Sequence, residues 1–466
     1  MWNMINKLRG VNQKEEKEIA VYDEVGNRID WDVLPEKMVE YWNTIYRKHP
    51  NEINEEWNEQ IKEEYTAEIR RRERTPRIVY GRRNEITLIP ENLKEHYDAL
   101  RGNLEPDGTG KLMINYTADD RIQYFPKQIL EHMDSLEGTV MWQQGKAMGW
   151  DGWREEDVKS ALSKIKSRKQ PGPDKIKGEI LKWFKENPTC LQALTICLNH
   201  VINKNEVPDE WKISKTVMIA KTNKPKVKEH RPIALTNTNY KLTMNLIKGK
   251  LLEHIKSLGE MIVLQAGFTE GRRLEDNLFI LNYCIENSKQ RKQELVITAI
   301  DFEKAFDSVN RKELIKVLKY YECNPKIIDT IVTLYTNDKT QMFLGQRKVG
   351  DVTVSSGIRQ GCTGSPLLFV LLVNHIIKKI NESHMGFKNS KLYIPVLFYA
   401  DDGLLLSNSR KEMEQMITLV TETSAECGLN INIQKSQCLI INRKEPKPEK
   451  IKDIEVVKEI KYLGIR

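Results

Sequence analysis

The sequence predicts an α+β fold, in which short strands and packed helices form more than one subdomain. The run from Leu295 to Ile300 is apolar, β-rich and uncharged, and it ends where a helical pattern begins. Two further apolar runs, residues 393–398 and 404–406, flank Asp401-Asp402-Gly403, which is typical of a tight β-hairpin. With 466 residues, the chain is long enough for several hydrophobic cores.

Helical spacing of apolar residues predicts most of the other elements. A helix over residues 158–165 must end before Pro171-Gly172-Pro173, because proline and glycine break the helical pattern. The next helix turns Leu194, Cys197 and Leu198 towards a core. Further helices are predicted through Leu278 and Leu281, from Phe306 to Leu318, from Leu367 to Ile380 with Ser365 as N-cap, and from Met413 to Val420 with Gly428 as the stop.

The composition favours an intracellular protein with a polyanionic binding partner. Lysine and arginine number 74 against 66 acidic residues, which gives a formal charge of +8 and a pI near 8.8. Seven cysteines without close pairs indicate neither a zinc site nor a disulfide framework. The first residues have no apolar core for a signal peptide, and the longest apolar run, Leu367 to Val373, is shorter than the ~20 residues of a membrane helix. We therefore expect a nuclear or cytoplasmic chain that is neither secreted nor membrane-bound.

Three carboxylates are the strongest candidates for chemistry. Asp401 and Asp402 repel each other at the tip of the predicted hairpin, and a divalent cation, most often Mg²⁺ beside phosphate substrates, relieves such repulsion. Asp301 ends the strand that begins at Leu295, so all three acids converge if this strand lies beside the hairpin. Three convergent carboxylates are what two-metal nucleotidyl transfer requires. The alternative is a solvated Asp-Gly turn.

Two motifs carry a resemblance to reverse transcriptases. Residues 301–307, Asp-Phe-Glu-Lys-Ala-Phe-Asp, resemble the first catalytic motif of that family, and Tyr399-Ala400-Asp401-Asp402 resembles the third. Other stretches resemble further motifs in the right order. A Lys-rich helix before Pro171-Gly172-Pro173-Asp174 resembles a motif of non-long-terminal-repeat elements and group II introns, and Gln265-Ala266-Gly267-Phe268 with Gly271-Arg272 resembles a motif of the fingers. Gln360-Gly361 with Ser365-Pro366 resembles the second motif of the palm, although Thr363-Gly364 departs from the usual pattern. Leu429-Asn430-Ile431-Asn432 with Lys435 resembles the fourth palm motif, and Tyr462-Leu463-Gly464 resembles the primer grip.

The resemblance implies a right-hand polymerase fold without a thumb. Fingers would span about 146–290 and the palm, an antiparallel sheet with packed helices, about 291–466. Residues 1–145 would form a polar N-terminal extension or linker. Within this extension the arginines between Arg70 and Arg83, with Tyr80, either bind RNA phosphates or form a solvated helical face.

The resemblance also implies roles for residues of the fingers and palm. Two strand patterns, Val217–Ala220 and Arg231–Leu235, predict a finger hairpin that carries Lys221 and Arg231, and these two residues would grip the triphosphate. A charged loop without this role is the alternative. Gln360 and Gly361 would contact the nascent base pair, and the Lys435 ammonium would protonate the leaving pyrophosphate.

Phe306 lies five positions after Asp301, where the family has its sugar gate. An aromatic ring there fills the space of a ribose 2′-hydroxyl and offers it no hydrogen-bond partner, which favours deoxynucleotides. The alternative is that Phe306 simply packs in a core.

The predicted function is that of a non-long-terminal-repeat, LINE-type reverse transcriptase. The chain would extend a DNA primer with deoxynucleoside triphosphates on an RNA template, with two Mg²⁺ ions, or Mn²⁺ in their place, at Asp301, Asp401 and Asp402. Because there is no room for a full endonuclease or a thumb, we expect a truncated copy. The runner-up is a weak or inactive remnant that binds RNA. A two-metal nuclease is the third alternative, but it needs neither the pair Lys221 and Arg231 nor the Gln360-Gly361 loop.

Overall fold

The computed structural model describes residues 20–47, 148–258, 264–269, 272–389, 393–442 and 448–465. None of the helices in these ranges is both long and apolar enough to cross a membrane. The helices are α1 (Leu34–Tyr46), α2 (Glu155–Ser163), α3 (Gly178–Phe184), α4 (Pro188–Lys204), α5 (Asp209–Lys212), α6 (Thr238–Ser257), α7 (Leu274–Arg291), α8 (Ala305–Ser308), α9 (Arg311–Tyr320), α10 (Pro325–Tyr335), α11 (Ser365–Glu382) and α12 (Arg410–Glu426). The strands are β1 (Ile213–Ala220), β2 (His230–Thr236), β3 (Leu295–Ile300), β4 (Lys339–Leu344), β5 (Arg347–Thr353), β6 (Phe387–Lys388), β7 (Tyr393–Ile394), β8 (Val396–Tyr399), β9 (Asp402–Ser407), β10 (Gln437–Ile441), β11 (Lys450–Ile451) and β12 (Ile454–Val456).

The larger sheet, the palm sheet, brings the predicted acids to one edge. Its strand order in the described chain is β11-β12-β10-β3-β9-β8. Strand β3 is antiparallel to β9 with Ile300 opposite Gly403, and β8 turns into β9 with Tyr399 opposite Asp402. The end of β3 and the tip of the hairpin therefore meet, which confirms that Asp301 follows a strand beside the predicted turn.

A second sheet, the fingers sheet, contains the predicted finger hairpin and two strands that were not predicted from the sequence. Strands β1 and β2 pair antiparallel, with Ala220 opposite His230, which confirms the hairpin. Strand β4 adds to β1 in parallel and β5 follows, so the order is β2-β1-β4-β5 among the described residues. Strands β4 and β5 lie within the range predicted as palm. The division near residue 290 remains a prediction.

Helix α1 covers the fingers sheet with an apolar stripe. Its buried residues recur every four positions, at Leu34, Met38, Trp42 and Tyr46, and they form a core with β4 and β5. The packing is close, because a Cβ atom at Gly350 of β5 would lie 2.3 Å from a methyl carbon of Val39. Part of the segment predicted to be a polar extension is thus integral to the fingers sheet.

Three local predictions about helices were wrong. The helix expected to run from Phe306 to Leu318 is divided into α8 and α9, because the Asn310 side chain accepts a hydrogen bond from the Lys312 amide (3.0 Å) and starts a new helix. In α4, Cys197 is exposed rather than part of the core. Helix α11 has Gly364 at its N-cap, and Ser365 is its first residue.

A buried ion network connects the fingers sheet with the palm. The Asp338 carboxylate accepts from Arg311 Nη2 (2.8 Å) and from Arg359 Nη2 (2.6 Å), and all three side chains are less than a tenth exposed. The Arg311 guanidinium also donates to the carbonyls of Tyr335 and Val354, and that of Arg359 to the carbonyl of Lys212 (2.6 Å), just before β1. One carboxylate therefore orients two guanidinium groups that hold main chain from both subdomains.

Replacing Asp338 with Asn should be strongly destabilising. The substitution preserves the shape but leaves two buried guanidinium groups without a counter-charge, so we expect the free energy of unfolding to fall by about 3–5 kcal/mol. Urea denaturation measures this loss. Asp351→Asn is the matched control, because the ion pair of Asp351 with Lys348 is exposed and such pairs contribute little. Equal losses in the two variants would contradict the proposed importance of the network.

Candidate active site

The turn between β8 and β9 has a strained backbone that is held from behind. Ala400 has a φ of +59°, in the left-handed region that few residues other than glycine adopt. The buried Gln265 side chain supports it, since Oε1 accepts from the amides of Ala400 (2.9 Å) and Gly267 (2.8 Å), and Nε2 donates to the Ala400 carbonyl (3.3 Å). The conformation of the turn thus depends on a residue far upstream.

The segment around Gln265 lies along β8. The Phe398 amide donates to the Leu264 carbonyl (2.7 Å), and the Ala266 amide donates to the Phe398 carbonyl (2.9 Å). A Cβ atom at position 267 would lie 2.2 Å from the Ala400 nitrogen, so only glycine fits there. The segment that resembles a motif of the fingers therefore supports the acidic turn directly. This supporting role was not predicted from the sequence, although a glycine close to a glutamine was a signal that could have indicated it.

Asn277 of α7 and Tyr462 also hold β8. Asn277 Nδ2 donates to the Phe398 carbonyl (2.9 Å) and lies 3.1 Å from the Tyr462 hydroxyl, which donates to the Leu397 carbonyl (3.3 Å). Burial raises the pKa of Tyr462, so the phenol stays protonated and able to donate. Asn277 was not a sequence candidate, and its signal was a polar residue on the inner face of an amphipathic helix.

The three acidic side chains lie within electrostatic range of one another. Partial burial, and then the charges of Asp401 and Asp301, raise the pKa of Asp402 to about 6. Partial burial also raises the pKa of Asp301, with a further contribution from Asp401, whereas the Lys435 ammonium opposes this shift. Such mutual repulsion is characteristic of carboxylates that share one site.

The donor set suits a hard divalent cation. All three candidates offer carboxylate oxygens, and a cation would offset both the burial and the repulsion that raise the pKa of Asp402. Within the described ranges, no three His, Cys, Asp or Glu side chains already have the arrangement of a metal site. Mg²⁺ in phosphoryl-transfer enzymes commonly takes one or two protein carboxylates and completes its shell with water and substrate phosphate.

The segment that ends at Lys435 pairs with the residues around Asp301. The Asn432 amide donates to the Asp301 carbonyl (2.7 Å), and the Asp301 amide donates to Ser436 Oγ (3.2 Å). Lys435 Nζ lies 4.0 Å from Asp301 Oδ2, and its side chain is 65% exposed. The Lys435 ammonium is thus accessible to a ligand that binds beside Asp301.

The fingertip brings two cations near Asp301 and Lys435. Arg231 pairs with Ile219 across the β1–β2 hairpin, and the Lys221 amide donates to the Glu229 carbonyl (2.9 Å) just beyond it. Partial burial, then the charges of Lys435 and Arg231, lower the pKa of Lys221, whereas Asp301 raises it. Three cations therefore lie near one another beside the acids, an arrangement that a polyanionic ligand would stabilise.

The Gln360-Gly361 loop lies on β2 near the fingertip. The Ala234 amide donates to the Gln360 carbonyl (2.7 Å). Gly361 has a φ of +108°, and a Cβ atom there would lie 2.8 Å from the Ala234 carbonyl oxygen. In the part of the chain that the structure describes, Gln360 Oε1 is buried without a hydrogen-bond partner. A buried acceptor in this state is available to a ligand.

Phe306 is half-buried beside this loop. Its ring stacks on that of Phe369 of α11, with centroids 4.7 Å apart and an interplanar angle of 13°. The Ile358 amide donates to the Phe306 carbonyl (2.8 Å). One face of the ring therefore packs on the core while part of the residue stays accessible, so packing and sugar gating are compatible.

Some sequence candidates lie outside the described residues. These are the arginine cluster from Arg70 to Arg83, with Tyr80, and Gly271.

Comparison with known proteins identifies the family. A family model described as reverse transcriptase (RNA-dependent DNA polymerase) matches residues 219–466, just over half of the chain. The chain is similar to the Transposon TX1 uncharacterized 149 kDa protein of Xenopus laevis, with 25% identity over 320 residues that cover 66% of this chain and 24% of that protein.

Two further relatives come from insects. The Retrovirus-related Pol polyprotein from type-1 retrotransposable element R2 of Nasonia vitripennis is 25% identical over 277 residues, which cover 59% of this chain and 26% of that protein. The Probable RNA-directed DNA polymerase from transposon BS of Drosophila melanogaster is 25% identical over 355 residues, which cover 73% of this chain and 38% of that protein. This chain thus spans about a quarter to two fifths of the length of these relatives.

The matched region contains the three acids, both fingertip cations and the Gln360-Gly361 loop. The chain therefore belongs to the reverse transcriptase family, among the members encoded by non-long-terminal-repeat retrotransposons.

Proposed function

We propose that this chain is an RNA-directed DNA polymerase that extends a DNA primer with deoxynucleotides on an RNA template by two-metal nucleotidyl transfer. One observation carries the proposal: Asp301, Asp401 and Asp402 converge opposite the fingertip cations Lys221 and Arg231. Family membership, and a relative named as a probable RNA-directed DNA polymerase, support it. A nuclease would need only the acids.

The acids are proposed to hold two Mg²⁺ ions, for which Mn²⁺ can substitute. When bound, Mg²⁺ lowers the pKa of the primer 3′-hydroxyl and neutralises charge on the triphosphate. The protein contributes a rigid turn, because Gln265 fixes Ala400 and so fixes the direction of Asp401 and Asp402. Pre-organised ligands of this kind lose little entropy when the substrate binds.

The cations are proposed to act on the triphosphate. Arg231 would donate to phosphate oxygens through its planar guanidinium, and Lys221 would act as a point charge. Burial, and then the charges of Lys435 and Arg231, lower the pKa of Lys221, so phosphate binding would relieve the repulsion among these cations. The Lys435 ammonium, 4.0 Å from Asp301, would hold the proton that the leaving pyrophosphate takes.

Gln360, Gly361 and Phe306 are proposed to face the base and sugar of the nucleotide. The orphan Oε1 of Gln360 would accept from this ligand, and Gly361 would allow its close approach. The proposed subdomains are fingers at about 146–290 and a palm at about 291–466, preceded by an extension of residues 1–145. A remnant that binds RNA without catalysis stays the alternative.

Replacing Asp401 with Asn should abolish most of the activity. Loss of a metal ligand should cost several kcal/mol of transition-state stabilisation, so we expect single-deoxynucleotide incorporation to slow by roughly a thousandfold or more. Asp453→Asn, in the exposed turn between β11 and β12, is the control and should leave the rate unchanged. Activity of the Asp401 variant within a few-fold of wild type would refute the metal assignment. If the wild-type chain incorporates no nucleotide and yet binds RNA with a steep salt dependence, the alternative of an RNA-binding remnant without catalysis is correct.

Replacing Arg231 with Ala should weaken nucleotide binding selectively. We expect a higher KM for the deoxynucleoside triphosphate with little change in template affinity, because the guanidinium would contact only the triphosphate. Steady-state kinetics and a template-binding titration separate the two. Lys224→Ala in the same loop controls for the general loss of positive charge. Parallel losses in nucleotide and template binding would make Arg231 a nucleic-acid contact instead.

Replacing Phe306 with Val should admit ribonucleotides while deoxynucleotide incorporation stays largely intact. The smaller side chain frees the space that a 2′-hydroxyl needs. The ratio of kcat/KM for the two sugars measures this effect. Phe184→Val, at a half-buried phenylalanine of α3, controls for lost packing. Unchanged discrimination combined with a lower melting temperature would mean that Phe306 only packs.

A further inference from the structure

Residues 20–47, here called the bracing segment, contact several parts of the proposed nucleotide site. At the fingertip, the Tyr22 amide donates to the Pro225 carbonyl (2.9 Å). Glu24 Oε2 lies 3.1 Å from both Lys226 Nζ and Lys228 Nζ. These ion pairs are exposed and therefore weak, but the main-chain bond fixes where the fingertip loop begins.

Trp42 of the bracing segment covers a lysine that joins palm to fingers. Lys304 lies in the turn before α8, and its Nζ donates to the carbonyls of Lys228 (2.8 Å) and His230 (3.2 Å) while it sits 4.4 Å from the Trp42 ring centre. Burial lowers the pKa of this ammonium. The lysine thus links the turn before Phe306 to the strand that carries Arg231.

Tyr46 bonds to both sides of the proposed sugar gate. Its hydroxyl reaches the buried carboxylate of Asp307, the residue after Phe306: both residues line one small cavity, and a hydrogen bond between them favours the charged form of Asp307. Its carbonyl accepts from the amides of Ser355 (3.0 Å) and Ser356 (2.9 Å), which lead into the Gln360 loop. One residue at the end of α1 therefore ties the gate turn to the loop beside it.

The gate turn has space to move into if this tie is lost. Helix α8 is a single turn of four residues. A small cavity, large enough for about one water at ≈ 20 Å³, lies between Tyr46, Asp307, Ser356 and Gln360. Burial raises the pKa of Asp307, so its carboxylate depends on the charges of Lys304 and Lys221 and on the hydrogen bond from Tyr46.

We propose that Tyr46 is a positioning residue for sugar selection, which acts through Asp307 to hold Phe306 at the distance that excludes a 2′-hydroxyl. The inference rests on the proposed polymerase function. It assigns part of the nucleotide specificity to the bracing segment, which lies more than 250 positions before the gate in the chain. Tyr46 itself need not touch the nucleotide.

The test is Tyr46→Phe, which removes the hydroxyl and keeps the ring. We expect the selectivity for deoxynucleotides, as the ratio of kcat/KM values, to fall by roughly tenfold, as expected for loss of a hydrogen bond to a charged group. The kcat for deoxynucleotides should change far less, because the metal-binding acids are not involved. Tyr41→Phe is the matched control on the same helix, since the Tyr41 ring faces Lys304 and the variant should keep wild-type selectivity.

A double-mutant cycle separates positioning from a general loss of stability. If Tyr46 acts through Asp307, the double variant Tyr46→Phe/Asp307→Asn should show the selectivity of Asp307→Asn alone, and melting temperatures should not follow the selectivity values. Additive losses of selectivity, or equal losses in Tyr41→Phe and Tyr46→Phe, would overturn the inference.

The outcomes also separate this inference from the proposed function. Extension by wild type with unchanged selectivity in Tyr46→Phe overturns the inference alone. If wild type does not extend the primer, binding of a deoxynucleoside and a ribonucleoside triphosphate to the primer–template complex with Ca²⁺ gives the same comparison as a ratio of Kd values. A lower ratio in Tyr46→Phe then supports the inference without catalysis, and absence of nucleotide binding by wild type overturns both.

Discussion

The buried carboxylate of Asp338 is the interaction on which the relation of fingers to palm depends. It holds Arg311 of α9 and Arg359, the residue before Gln360, and their guanidinium groups satisfy carbonyls at the end of α10, just after β5 and at the end of α5. A network of this kind gains little net energy, because desolvation offsets the attraction. We infer that the network mainly fixes geometry, since two planar guanidinium groups around one carboxylate permit few arrangements of the segments they join.

The chemistry of the site could be predicted because its signals are local. An uncharged strand that ends at Asp301 and a paired acid at a hairpin tip are short patterns, and the antiparallel pairing of β3 with β9 brings them together. The two additional strands of the fingers sheet gave no such signal, since β4 pairs with β1, more than 120 positions away, and β5 joins the sheet only through β4. Helix α1 did carry a signal, the four-residue spacing from Leu34 to Tyr46, within a mostly polar region.

The supports of the site were harder to predict than its reactive groups. Gln265 and Asn277 have ordinary side chains whose role appears only when β8 lies beside them. The division of α8 from α9 depends on one asparagine that competes with the helical main chain for hydrogen bonds, and a spacing of apolar residues does not reveal that competition. The exposed Cys197 shows the same limit, because a small apolar residue at the margin of a helical face fits either side.

The left-handed Ala400 has a consequence for folding. Gln265, which stabilises it, and Asn277, which holds the strand before it, lie 135 and 121 positions from their partners in the turn and in β8. Contacts of such long sequence separation form only after a large loop-closure entropy has been overcome. The short peptide Tyr-Ala-Asp-Asp therefore has no fixed geometry of its own, and its active shape is a property of the assembled palm rather than of the motif.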